Sequence, residues 1–161
     1  MKTIRSSVFE TNSSSMHSIT IVPEEEFEKF KKCELLLDYE TLVDAKQEYK
    51  RVMDTLADWA NDEAYNEQFD EEYKKVYKDQ LTYERFLEVL RKFDYEDLSY
   101  YRREGARDNI EDDVTAVKAA LSEDVYTFNT MGGGTYETFE ERYTTKSGDK
   151  IVAFGYYGQD C

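Results

Sequence analysis

The order of strand-forming and helix-forming sequence along the chain constrains its fold more than any other feature. Thr, Val, Ile, Tyr and Gly dominate the two ends, whereas Glu, Lys, Leu and Ala dominate the middle. Neither end carries enough strands to bury an apolar face alone, because an isolated strand pair is at best marginal in water. The ends are therefore expected to meet in one mainly antiparallel sheet. This is an α+β arrangement in which residues 1–22 and 125–161 form the sheet and residues 23–124 are a helical insertion packed to one side. With 161 residues, the chain fits one domain spanning 1–161. Its 14 tyrosines and 9 phenylalanines supply the large buriable side chains that disordered chains lack, so a folded core is expected.

Charge follows the same partition. Residues 1–22 carry a net +1 and residues 125–161 a net −2, which leaves −14 of the total −15 in the insertion. Such a balance repels phosphate backbones at long range and argues against a general nucleic-acid-coating role, while it favours a basic partner or serves nothing more than solubility. The runs Glu24-Glu25-Glu26, Asp70-Glu71-Glu72 and Glu111-Asp112-Asp113 read first as favourable charges at helix starts. Cys33 and Cys161 sit in no CxxC or Cys/His cluster, so free thiols, no metal and no cofactor are expected. The sequence shows no basic-then-apolar leader and no apolar run long enough to span a bilayer, so a cytoplasmic protein without membrane association is expected.

Strands are predicted over Thr3–Phe9 and Ser18–Val22, with Pro23 ending the second. A short helix over Glu24–Lys32 places Phe27 and Phe30 on one side, and Glu34–Leu37 reads equally as a short buried strand or a lead-in to the next helix. Leu42, Ala45, Tyr49, Val52, Leu56 and Trp59 recur at steps of three and four, the seam of a helix beginning near Thr41. Further helices are predicted around Tyr65–Val76, after an N-cap at Thr82, and around Val114–Leu121. A strand over Val125–Phe128, a glycine turn at Gly132-Gly133-Gly134, and a hairpin pairing Tyr136–Thr144 with Lys150–Tyr156 complete the reading. Ile151 to Phe154 is apolar on both faces and suits an interior strand.

The densest chemistry lies between the first two predicted strands. Arg5, Glu10, Thr11, Asn12, Ser13, Ser14, Ser15 and His17 bring together a permanent cation, a carboxylate, hydroxyl and amide groups, and the only imidazole in the chain. Metal-independent, ribonuclease-like cleavage needs a base for the 2′-hydroxyl, an acid for the leaving 5′-oxygen and a cation on the phosphoryl oxygens. His17 and Glu10 fit the acid/base pair and Arg5 the cation, with Asn12, Ser13, Ser14 and Ser15 as ligand-binding groups. Turn chemistry alone also accounts for a Thr-Asn-Ser-Ser-Ser run. By strand alternation His17 falls on the side of Ile19 and Ile21, where a hydrogen-bonded structural histidine would sit. The tyrosine and arginine cluster of Tyr95, Tyr100, Tyr101, Arg102, Arg103 and Arg107 reads as a stacking surface or as inward packing.

At Val8-Phe9-Glu10-Thr11-Asn12-Ser13-Ser14-Ser15-Met16-His17-Ser18, preceded by Arg5, the chain resembles the N-terminal signature of small proteins carried by phages and mobile elements of Firmicutes. Some type II-A anti-CRISPR proteins, which inactivate Cas9 and in some cases damage its guide RNA, share a similar start. The match covers about 20 of the 161 residues and implies a shared N-terminal module. It implies a counter-defence protein in the cytoplasm of a bacterial host cell, with a Cas9-type ribonucleoprotein or another basic protein as partner and the guide RNA as a target. The basic channels of Cas9 suit the acidic insertion electrostatically. The alternative is a non-enzymatic acidic binding module whose serine-rich loop holds a small anion or a peptide.

Overall fold

Residues 15–61, 81–94, 110–132 and 136–159 are described by a computed structural model of the chain. The predicted strand Thr3–Phe9, the helix around Tyr65–Val76 and the Tyr95–Arg107 cluster lie outside these residues. Strand β1 (Ser15–Pro23) is built on the β-branched run Ile19–Val22 and ends at Pro23, which stands at the N-cap position of helix α1 (Glu24–Lys31) without a capping side-chain hydrogen bond. Glu24, Glu25 and Glu26 fill the first turn of α1 and Lys29 and Lys31 the last, the arrangement the helix dipole favours.

The ends of the chain meet as expected. β1 runs antiparallel to β6 (Lys150–Gln159) from Ser15 opposite Gln159 to Pro23 opposite Ile151. β6 also pairs with β5 (Glu137–Thr144), so the apolar segment Ile151–Phe154 occupies the central strand of the order β1-β6-β5. The fold is α+β.

A second antiparallel sheet was not anticipated. It has the order β3-β2-β4 and joins β2 (Leu35–Asp38), β3 (Thr41–Asp44) and β4 (Val125–Tyr126). The ambiguous Leu35–Leu37 stretch is thus a strand. Leu42, assigned to a helix by its spacing, lies in β3 opposite Leu37, and helix α2 (Ala45–Asn61) begins three residues later. The β2–β3 turn carries Tyr39 at φ +52° without a glycine or asparagine to announce it. The expected Val125–Phe128 strand is shorter at its C-terminal end, because Thr127 and Thr130 close a buried hydroxyl-linked turn.

Alternation along β2 divides the interior into two cores. Leu37 faces Val22, Phe27, Phe30, Met131, Val152 and Phe154, so α1 lies between the two sheets. Leu36 faces the other way, into a core built by α2, α3 (Tyr83–Leu90) and α4 (Asp113–Ala120), with Val52, Leu56, Phe86, Leu90 and Val117 buried in it. These three helices therefore pack together on one side. Thr82 caps α3 through the Arg85 amide, as its position before an apolar run predicted, and Asp112 with Thr115 forms a capping box on α4.

Candidate functional site

The start of β1 places Ser15, the last residue of the serine run, and His17 at one end of the β1-β6-β5 sheet. Ser15 lies opposite Gln159 and His17 opposite Tyr157, which in turn lies opposite Glu137. Directly opposed residues in antiparallel strands are about 4.5–5.5 Å apart at Cα. A histidine, a tyrosine and a glutamate position thus form one row across three strands. Arg5, Glu10, Asn12, Ser13 and Ser14 lie outside the described residues, so the structure gives the register of Ser15 and His17 alone among the candidate site residues.

Tyr157 donates its hydroxyl to Glu137 Oε2 at 2.5 Å, and this bond to a carboxylate, with its negative charge, raises the tyrosine pKa. Tyr157 is therefore a neutral hydrogen-bond donor, not a base, across the physiological range. Its ring meets Phe139 at 6.4 Å between centroids. On the opposite face of the sheet, Ser18 is buried and stands opposite Tyr156. Burial raises the Tyr156 pKa, and the hydrogen bond from Ser18 opposes that shift in part. The neighbouring Thr20 is also buried, facing Phe154, and its hydroxyl has no hydrogen-bond partner.

Two of the acidic runs have structural employment. Glu24 and Glu28 on α1 and Glu140 on β5 all bind Arg142, whose guanidinium lies over the Phe27 ring at 5.6 Å. Glu25 pairs with Lys29 one turn along, and Asp113 pairs with Arg85 across the α3–α4 contact. The hydrogen bond from Arg85 holds the Asp113 carboxyl below its usual range, and that from Arg142 does the same for Glu28. Cys33 is buried, and desolvation pushes its thiol up to about 11, so it is unreactive at neutral pH. No group of three or more His, Cys, Asp or Glu suited to a metal ion occurs among the described residues, and no described helix is long and apolar enough to cross a membrane.

Tyr157 and Glu137 escaped the sequence reading because they lie well over a hundred residues from the serine-rich loop. The available signal was the alternation Glu137, Phe139, Glu141, Tyr143 combined with the hairpin register. Comparisons with protein-family models, with curated proteins and with solved structures each find no match.

Proposed function

We propose that the chain is a counter-defence, anti-CRISPR-like protein that acts on a basic nucleoprotein such as guide-loaded Cas9. The observation that carries this reading is the segregation of −14 of the net charge into residues 23–124, behind an N-terminal segment that resembles the mobile-element signature. In support, Glu34, Glu40, Asp44, Asp54, Asp58, Glu84 and Glu88 are all exposed, as a surface competing for a basic channel requires. Tyr39, 70 % exposed at a hairpin tip with its hydroxyl bonded to Asp124, adds an aromatic group to that acidic side.

The chemistry assigned to the N-terminal segment is cleavage of the guide RNA without a metal. One member of the His17–Glu10 pair takes the 2′-hydroxyl proton, the 2′-oxygen attacks phosphorus, and the other member protonates the departing 5′-oxygen. Arg5 neutralises the phosphoryl oxygens, and Asn12 with Ser13, Ser14 and Ser15 hydrogen-bonds the phosphodiester. A nuclease this acidic is better suited to RNA already held on a basic protein than to free RNA.

The test is a Cas9 DNA-cleavage assay in which the guide is also run on a denaturing gel, with wild type and His17→Ala compared. The expected result is loss of DNA cleavage with a shortened guide for wild type, and an intact guide with His17→Ala. Undiminished DNA cleavage at excess protein overturns the reading. An intact guide alongside inhibition removes the nuclease step and leaves a stoichiometric blocker.

A further inference from the structure

Helix α1 packs on one face of the β1-β6-β5 sheet, the face of Val22, Val152 and Phe154. The other face is built by the alternate positions of the same strands, and neither core includes them. Ile19 and Tyr157 are each 41 % exposed there and Tyr143 is 49 % exposed. Phe139 leans over Gly155, where an added Cβ would meet its ring at 3.2 Å, so this ring covers the glycine at the centre of the face.

Two carboxylates are set into this surface, and each is tied to a tyrosine. Tyr157 donates to Glu137 and Tyr143 donates to Glu141. A carboxylate that accepts one such bond keeps lone pairs for a further donor. Each pair therefore offers a planar cation an aromatic face beside a carboxylate, the combination that suits a guanidinium. Glu137 and Glu141 are four residues apart on one strand, about 13 Å at the usual rise per residue. None of the outward positions of the three strands holds a lysine or arginine. A second copy of the chain would bring like charge onto like charge across such a face, which disfavours self-association.

We propose that this face docks an extended, arginine-bearing segment of a partner protein, with arginines at positions i and i+4 seated on the Tyr157–Glu137 and Tyr143–Glu141 pairs and the intervening apolar side chain over Phe139. For the partner's identity the proposal rests on the basic nucleoprotein proposed above. The recognition chemistry stands independently of it.

The experiment titrates the full chain into a fluorescein-labelled Arg-Thr-Val-Thr-Arg peptide, whose valine shares the arginine face of an extended chain, and follows anisotropy. Glu137→Gln/Glu141→Gln is compared with Glu111→Gln/Glu123→Gln, which removes the same charge from exposed positions flanking α4. The expected result is saturable binding that weakens by about tenfold or more in the first variant and by less than about twofold in the second, with both variants folded by circular dichroism. Replacing the peptide arginines by citrulline should abolish binding. Equal loss in both variants would mean diffuse attraction to an acidic protein and overturns the proposal, as does no loss in either. Sedimentation showing a dimer that only Glu137→Gln/Glu141→Gln dissociates overturns it as well, in favour of a second copy. If the peptide binds as expected while Cas9 is unaffected, the docking face stands and the Cas9 reading falls.

Discussion

Thr20 carries the one buried side-chain polar atom among the described residues that finds no partner. Its hydroxyl was desolvated on folding without a compensating hydrogen bond, so a nearly isosteric apolar replacement should help. Thr20→Val is expected to raise stability by about 1 kcal/mol, read as a higher urea midpoint at unchanged slope. Glu48 is the opposite case: although buried, its carboxylate accepts from Arg51 and from the Ser122 amide at 2.8 Å, while Arg51 also reaches the Ala120 carbonyl at 2.6 Å. This clasp ties α2 to the end of α4, and Glu48→Ala should cost about 1–3 kcal/mol by removing the carboxylate that the half-buried Ser122 amide and Arg51 share. Asp113 supplies the pH dependence. Its folded-state pKa lies below the usual 3.8, so its contribution is complete above the unfolded value and is lost as pH falls through the folded one. The wild-type urea midpoint should therefore fall between about pH 5 and pH 3, and Asp113→Asn should start lower and fall less over that window.

Helix α1 lies between the two sheets, packed on Leu37 of β2, and makes four aromatic contacts with β6 and the turn after β4. Phe27 meets Phe154 at 5.0 Å and Phe128 at 5.8 Å, and Phe30 meets Phe154 at 5.2 Å and Phe128 at 5.9 Å. Phe27→Ala should destabilise the fold by about 3–5 kcal/mol, measured by chemical denaturation, because the cavity would open between two sheets that cannot easily close it. The two phenylalanines were legible in the sequence because their spacing within a short acidic-to-basic helix leaves one buried side. The central position of β6 was legible too, since Ile151 to Phe154 has no polar face to give to water. The second sheet was not legible. Leu42 lies three residues before Ala45 and so extends the α2 seam by coincidence, and β3 is too short for alternation to compete with that pattern. The Tyr39 turn hid the hairpin because its residue types are those of strands and helices, not of turns. Of the candidate site, the residue types were legible in the N-terminal segment. Their alignment with Tyr157 and Glu137 was not, because cross-strand register is a tertiary property that local sequence does not encode.

At the scale of the whole molecule, one sheet closes the two ends of the chain and an acidic helical core lies beyond a second sheet. Ser15 and His17 thus lie at the end of a sheet whose outer face is apolar with acidic points, while most of the net charge lies elsewhere. A protein of this kind should engage a basic nucleoprotein by long-range attraction, with an association rate that falls as ions screen it. The most direct measurement is the affinity of the chain for immobilised, guide-loaded Cas9 across a sodium chloride series. The account predicts saturable binding at low salt that weakens steadily towards and beyond about 0.15 M, chiefly through a slower association rate. Absence of binding at low salt with micromolar protein, or an affinity indifferent to salt, would contradict it.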